Sequence, residues 1–201
     1  MINRQVRLEH LIPFADAIFA FSITFMAISV HIPDLAQNFT QEQVIDKLLE
    51  SIPEFEVYVL SFFVIGVYWI SYHQIFNNIA DSHPTTIWLT LVFLFFITLI
   101  PLTTNEQIGY GHYQIVFVLF ALVLTIVGSL LTIAWLHAVK NKLIDKNLTQ
   151  REIHTISAES ILTPIVFLLS ILVSFIDLRI AYYFWIIVIP AKVILRKKYH
   201  S

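Results

Sequence analysis

Six apolar runs, each long enough to cross a lipid bilayer as a helix, dominate this chain. The hydrocarbon layer of a membrane is about 30 Å thick, and an α-helix needs about 20 mostly apolar residues to span it. The runs cover approximately residues 11–32, 56–79, 86–105, 112–138, 158–177 and 180–196. Only 13% of the residues are charged, which is roughly half the share in a soluble domain. The sequence therefore predicts an integral membrane protein.

The runs are apolar on nearly all sides of a helix, which excludes the β-barrel class of membrane protein. Strands of an outer-membrane barrel alternate lipid-facing and lumen-facing residues over about ten positions. We therefore predict an all-α, polytopic membrane protein in which residues 1–201 form a single domain with six transmembrane helices. Lys192 falls near the end of the sixth run, and we expect its long side chain to reach the lipid headgroups.

The basic residues of the short connections predict the orientation of the chain, because cytoplasmic connections carry an excess of lysine and arginine. Basic residues precede the first run, follow the sixth and separate the fourth from the fifth, at Arg4, Arg7, Lys140, Lys142, Lys146, Arg151, Arg196, Lys197 and Lys198. We therefore expect both termini to face the cytoplasm, in agreement with an even number of spans. The acidic connection after the first run is predicted to contain a short helix at residues 41–49, following the capping-type sequence Thr40 to Gln43.

The sequence lacks the parts that common enzyme classes require. It has no His-Glu-x-x-His zinc helix, and its four glycines form no phosphate-binding loop. Cysteine is absent, so thiolate chemistry is excluded. Four histidines lie in separate segments without a metal-ligand spacing, at His73, His83, His112 and His137. We therefore predict a protein that is not an enzyme and has no cofactor, no metal site and no nucleic acid partner.

Asp16 is a carboxylate near the start of the first run. A charge at the centre of a membrane helix costs about 2.5 to 3.5 kcal/mol on insertion scales, and less near the ends, so a compensating partner is expected. Two roles are open. Asp16 either faces the cytoplasmic mouth of a pore and concentrates cations, or pairs with polar groups of the second run such as Trp69 and His73.

The residues around Asp16 carry a resemblance to a known family. The stretch from His10 to Val30 resembles the first helix of the potassium channels of the transmembrane protein 175 family. In that helix an arginine is followed by three residues and then by Phe-Ser-Asp. His10 stands at the position of the arginine, and Ala15 stands at that of the serine.

Two further segments are similar to the same family. Residues Trp69 to His73 (Trp-Ile-Ser-Tyr-His) correspond to its tryptophan followed by histidine in the second span, and Leu99 to Thr103 (Leu-Ile-Pro-Leu-Thr) correspond to its Leu-Pro segment in the third. The resemblance implies a homotetramer in a prokaryotic cell membrane, in which four copies of the first helix line one pore for potassium ions. It also implies a polar network of His10, Asp16, Trp69 and His73.

The first run contains an apolar stripe that is compatible with such a pore. Ile23, Ala27 and Val30 fall at i, i+4 and i+7, with Met26 beside them. Four copies would form stacked apolar rings, and a narrow apolar ring gates by dewetting. We therefore predict that these four residues line the pore, with Ile23 at the constriction. Ordinary helix packing would produce the same stripe.

The sequence contains no Thr-Val-Gly-Tyr-Gly filter, so selectivity would depend on the constriction and on nearby hydroxyl groups. Ser22 and Thr24 are the candidate selectivity hydroxyls. A serine or threonine within a helix, however, most often bonds a preceding carbonyl of its own helix.

Two other functions are compatible with the sequence. A proton-coupled carrier would use Asp16 and His73, together with Glu159 near the start of the fifth run. Glu159 has a simpler explanation, since a carboxylate is favourable in the first turn of a helix. A structural membrane protein without transport activity is the third hypothesis.

Overall fold

The computed structural model describes residues 8–28, 39–81 and 83–200. Within these residues the chain is helical apart from its connections and one antiparallel bridge between Ile79 and Ile144. The helices are α1 (Leu8–Ile28), α2 (Gln41–Glu50), α3 (Ile52–Phe76), α4 (Pro84–Tyr110), α5 (Gln114–Lys140), α6 (Gln150–Ser174), α7 (Leu178–Phe184) and α8 (Val188–His200), with a 3₁₀ turn at Trp185–Ile187 between the last two. In the described part of the chain, six segments are long and apolar enough to cross a membrane, with α7, the turn and α8 forming the sixth. The predicted all-α class is confirmed.

Helix bounds differ from the predicted spans where polar residues extend a helix beyond its apolar run. The fifth span was predicted to begin at residue 158, but α6 begins at Gln150. Thr149 and Glu152 form a capping box there, and each side chain accepts a hydrogen bond from the other residue's backbone N–H. An analogous box of Thr40 and Gln43 starts α2, as predicted. The predicted end of the first span, at residue 32, lies outside the described residues.

Helix α5 lies at the centre of the bundle, where it packs against α4 and α6. Gly128 permits the close approach to α6, because a Cβ at this position would lie 3.0 Å from Cδ of Pro164. Small residues are typical of contacts between membrane helices, since lipid provides no hydrophobic driving force for their association. Close packing of α5 against α6 therefore depends on the shape of the contact surfaces as well as on their apolar character.

A hydrogen bond between these two helices compensates for Pro164. Proline has no backbone N–H, so the carbonyl of residue Ser160, one turn earlier, loses its helical donor. The hydroxyl of Thr132 in α5 donates to this carbonyl at 2.7 Å. A proline that would weaken an isolated helix therefore becomes part of the interface.

Helix α1 lies at the edge of the protomer and contacts α3 and α4. One stripe of the helix is buried, consisting of Leu11, Ala15, Phe19, Ser22 and Met26. The Phe19 ring lies between the two neighbouring helices, with ring centroids 5.9 Å from Tyr72 and 6.0 Å from Phe93. Aromatic contacts at this separation contribute more to stability than the area that they bury would by itself. They determine which side of α1 faces inward.

The start of α1 lies at one end of the bundle together with the ends of α3, α5 and α8. We call it the basic end, because most lysines and arginines of the sequence are near it. Two connections meet there, and the Ala80 N–H donates to the Leu143 carbonyl at 2.8 Å. Lys142, which follows α5, has a φ of 58° and allows Leu143 N–H to bond the Ala138 carbonyl. This is the Schellman arrangement of a helix C-terminus.

Candidate functional site

The candidate site lies at the contact between α1 and α3, near the basic end. Oδ1 of Asp16 accepts a hydrogen bond from Nε1 of Trp69 at 2.9 Å. Nε2 of His73 lies 2.7 Å from the same oxygen. The Asp16 side chain is 42% exposed in the single chain, so the carboxylate is held on one side and open on the other.

The local structure of α3 explains why both partners reach one oxygen. Trp69 and His73 are four residues apart and therefore lie one above the other on the same face of the helix. Their rings meet edge to face with centroids 4.7 Å apart. Tyr72 packs against the His73 ring from the buried side. The side chains of α3 are thus arranged to bind a carboxylate presented by α1.

Three of the four predicted network residues are brought together, namely Asp16, Trp69 and His73. His10 is exposed, and in the described part of the chain no hydrogen bond or ion pair connects it to Asp16. Ala15, at the family's serine position, is fully buried. The network within one protomer therefore consists of a carboxylate, an indole and an imidazole.

The predicted pore residues occupy different environments in the protomer. Ile23 is partly buried and packs against the core, whereas Ala27 is exposed. Met26 is fully buried, so within one chain it has no free surface to offer to a pore wall. Val30 lies outside the described residues. The periodicity of the stripe identified a helical face, but it did not determine the orientation of that face.

The two candidate hydroxyls also differ. Ser22 lies in the buried stripe of α1, and its Oγ has no hydrogen-bond partner among the described residues. Thr24 is exposed, and its hydroxyl donates to the carbonyls of Ala20 and Phe21 at 2.9 and 3.0 Å. Thr24 thus makes the bonds within its own helix that are typical of such residues.

A second stripe on α1, which was not predicted from the sequence, is composed of small residues. Ala17, Ala20, Thr24 and Ala27 are all exposed and follow one another at spacings of three and four residues. This spacing places them on one side of the helix. The spacing of these small residues is visible in the sequence, but large apolar residues alternate with them and make the pattern difficult to recognise. Small stripes of this kind allow close approach of another helix or leave space beside the helix.

A second charged cluster lies between α6 and α8. Glu159 is 2% exposed, and both of its carboxylate oxygens accept hydrogen bonds from Arg196, at 2.7 and 3.0 Å. Because α6 begins at Gln150, Glu159 is in the third turn of the helix, and the first-turn explanation was wrong. The residue is held by an ion pair. No group of metal-ligating residues occurs in the described part of the chain.

The fold and the site together define a polytopic, all-helical membrane protein whose first helix is tied to its neighbour by an intramembrane carboxylate. Residues 10–101 match the family model described as the endosomal/lysosomal potassium channel TMEM175. The chain is thus similar to the TMEM175 family over residues 10–101, a little under half of its length. The match covers α1, α3 and much of α4, including the Asp16 site.

Individual relatives show a similarity to the same family. A potassium channel of Chryseobacterium sp. (strain P1-3) is 28% identical over 100 residues, which cover 50% of this chain and 48% of that protein. A potassium channel of Chamaesiphon minutus is 23% identical over 170 residues, with 82% of each chain covered. The chain thus spans about half the length of the first relative. Both are named as channels rather than as enzymes.

The fold itself matches a solved structure. The crystal structure of a lysosomal potassium-selective channel TMEM175 homolog from Chamaesiphon minutus superimposes with a TM-score of 0.79. The superposition covers 98% of this chain and 100% of the other at 18% sequence identity. The six-helix architecture is therefore shared over the whole chain, including α5 to α8, which the family model does not match.

Proposed function

We propose that this protein is a potassium-selective cation channel of a prokaryotic cell membrane, with both termini in the cytoplasm. Ions cross passively through a homotetrameric pore lined by α1. The observation that carries the proposal is the packing of α1. Only 28% of its membrane-spanning window is buried in the protomer, against 33% to 44% for α3 to α6; the span of α7 and α8 is buried still less, at 17%, but lies outside the residues that the family model matches. A helix with so little cover in one chain has a free face for other copies of itself.

The chemistry of the free face supports a pore. The exposed small stripe leaves room beside α1, and Ile23 lies at its edge with Ala27 one turn further on. Four copies of this face around one axis would form a narrow apolar ring at Ile23. Such a ring opposes ion passage because it cannot replace the water around the ion. We assign the constriction to Ile23 and Ala27; Val30, which was predicted to line the pore as well, lies outside the described residues. Met26, buried behind them, holds the ring in place.

The hydrogen bonds of Asp16 support a positioning role for this residue. Trp69 and His73 fix the rotation of α1 about its own axis through one carboxylate oxygen. Ile23 is seven residues further along, about 10 Å at 1.5 Å per residue. A rotation of α1 at Asp16 would therefore change the direction in which Ile23 points. The open side of the carboxylate is free to attract cations near the pore mouth.

The identity of the permeant ion is inferred from the names of the relatives. The proteins from Chryseobacterium and Chamaesiphon minutus are both named potassium channels, and we extend that activity to this chain. The hydroxyls of Ser22 and Thr24 remain candidate contributors to selectivity, although Thr24 is the one exposed on the free face. Potassium is the permeant ion, and the proposal includes no cofactor.

The decisive experiment measures ion flow through purified protein. Reconstituted vesicles are expected to release potassium without ATP or a coupled ion, and bi-ionic reversal potentials in a planar bilayer are expected to favour potassium over sodium. Ile23→Ala widens the proposed ring and is expected to raise conductance or reduce selectivity. Ile18→Ala is the matched control, because Ile18 is another partly buried isoleucine of α1 that packs against the core.

Three results would contradict the proposal. Potassium movement strictly coupled to protons would indicate the carrier instead. Absence of flux from a well-folded oligomer would indicate a structural protein. Identical conductance and selectivity in wild type, Ile23→Ala and Ile18→Ala would remove Ile23 from the constriction. Chemical cross-linking followed by mass measurement checks the number of subunits.

A further inference from the structure

We propose that the groove between α3 and α8 binds an anionic phospholipid, with the phosphate at the basic end and an acyl chain extending toward the middle of the membrane. The groove is on a different part of the protomer from the free face of α1, and the inference does not depend on the proposed channel activity. The inference rests on three observations: the shape of the groove, the decrease in polarity from its outer end to its inner end, and a positive charge in its wall that no ion pair balances.

The groove consists of three adjoining cavities. The outermost, about 520 Å³, lies at the basic end and is lined by polar residues such as Asn78, Thr149 and Arg151. The next, about 290 Å³, shares Ile70, Gln74 and Arg196 with the first.

The third cavity is almost entirely apolar and shares Phe63, Val67 and Ile189 with the second. Polarity therefore falls steadily from the end of the bundle toward its middle. A phospholipid in a bilayer has the same order, with a charged headgroup at the surface and apolar chains below it.

The structure explains why this space is not filled by protein. Helix α8 packs on α6, while α3 packs mainly on α4 and α1. Polar bonds link α8 to α3 across the gap, from Lys192 Nζ to Ser71 Oγ at 2.7 Å and from Arg196 to the Gln74 side-chain oxygen at 2.8 Å. The four residues that form these bonds also line the second cavity, so the bonds lie in its wall.

The wall of the groove carries one surplus positive charge. Arg196 is neutralised by Glu159, with which it forms a two-bond ion pair. Lys192, one turn earlier on α8, lines a small cavity with Glu159 and is attracted by that carboxylate, but it forms no direct ion pair among the described residues. Its described hydrogen bond is the one to Ser71, and with two cations near one carboxylate a net positive charge remains. A lysine ammonium has three donors, so it retains capacity for an anionic acceptor.

Desolvated cations are costly unless they are paired, and basic pockets between membrane helices are typical sites for anionic headgroups. Lys192 was expected to extend to the headgroups of the surrounding bilayer. Its contact with Ser71 instead places the ammonium inside the groove, where a bound lipid would provide the phosphate. Arg151 at the outer rim adds a second contact for the headgroup and is accompanied by Glu152, which limits the net charge there.

The test is lipid binding by the full-length protein in detergent micelles, measured by native mass spectrometry with added phosphatidylglycerol. Lys192→Gln is expected to weaken phosphatidylglycerol binding about fivefold, the value of one basic contact with an anionic lipid. Lys146→Gln is the matched control, because it removes the same charge from an exposed site at the same end of the bundle. The control is expected to bind like wild type. Phosphatidylcholine, which has no net charge, is expected to bind more weakly than phosphatidylglycerol.

Equal binding by Lys192→Gln and Lys146→Gln, or equal binding of the two lipids, would overturn the proposal. If Lys192→Gln does not fold, Arg151→Gln provides the comparison, with weaker binding expected and unchanged binding contradictory. Glycerol 3-phosphate tests for a soluble anion, and saturation at concentrations similar to those of the lipid would exclude a lipid-specific site. Ile189→Cys tests for a second copy in the groove. Because the chain has no native cysteine, a disulfide-linked dimer through this position would show that protein covers the site.

Discussion

Asp16 and His73 lie on different helices, and 2.7 Å separates Oδ1 of the carboxylate from Nε2 of the imidazole. Trp69 donates to the same oxygen, so two side chains of α3 depend on one atom of α1. A buried or half-buried donor that loses its acceptor costs more than the hydrogen bond itself contributes. This contact therefore contributes to the attachment of α1 and, together with the packing of Phe19, to its rotation.

The first prediction separates two effects of Asp16 on stability: that of its hydrogen-bond acceptor and that of its negative charge. Asp16→Ala removes the oxygen from both donors and is expected to lower the free energy of unfolding by about 1 to 2 kcal/mol. Asp16→Asn retains an oxygen at the same position and is expected to cost less than half as much. Chemical unfolding in detergent micelles measures both. Equal losses in the two variants would show that the negative charge, rather than the hydrogen-bond geometry, holds α1.

The second prediction concerns the carbonyl of Ser160. Thr132→Val removes the hydroxyl that donates to this carbonyl, and Pro164 prevents the helix from supplying another donor. The expected loss is about 1 to 3 kcal/mol of unfolding free energy. Thr125→Val is the control on the same helix. Both hydroxyls lie within hydrogen-bond distance of a carbonyl of α5, Ala121 for Thr125 and Gly128 for Thr132, but only Thr132 also reaches α6. Similar losses for both variants would disprove the compensation.

The third prediction compares two glycines in helix interiors. Gly128→Ala places a Cβ 3.0 Å from Pro164 and is expected to destabilise by about 1 to 3 kcal/mol. Gly66→Ala meets no atom within 4 Å and is expected to stabilise by about 0.5 to 1 kcal/mol, because alanine loses less backbone entropy. Thermal unfolding in one detergent checks the sign of each change. A stable Gly128→Ala protein would show that α5 and α6 can separate without cost.

The fourth prediction concerns the end of α5. Lys142 has a φ of 58°, a conformation that costs a residue with a side chain about 1 kcal/mol relative to glycine. Lys142→Gly is therefore expected to raise the unfolding free energy by about 1 kcal/mol. Lys146→Gly removes the same charge nearby without a positive φ and is expected to be neutral or slightly destabilising. Stabilisation by both would indicate an effect of charge.

The sequence was informative where local chemistry decides structure. Apolar length predicted six spans, because a bilayer admits few alternatives to a long helix. The capping pair of Thr40 and Gln43 predicted α2 for a similarly local reason. The equivalent pair at Thr149 was overlooked, because charged residues near the start of α6 resembled a connection. Helices in this protein extend beyond the apolar region, so hydropathy alone placed that boundary about two turns late.

The sequence also identified the chemistry of the site, since a carboxylate within an apolar helix requires a partner and Trp69 and His73 were available. It could not decide which residues face inward. Met26 and Ala27 are adjacent in sequence, yet one is buried and the other exposed, because Phe19 fixes the rotation of α1 between Tyr72 and Phe93. Similarly, Glu159 and Arg196 are 37 positions apart, and only the packing of α8 on α6 brings them together. Local sequence therefore determined the membrane helices and the presence of a paired carboxylate, whereas helix rotation and partner choice depended on side-chain packing between distant segments.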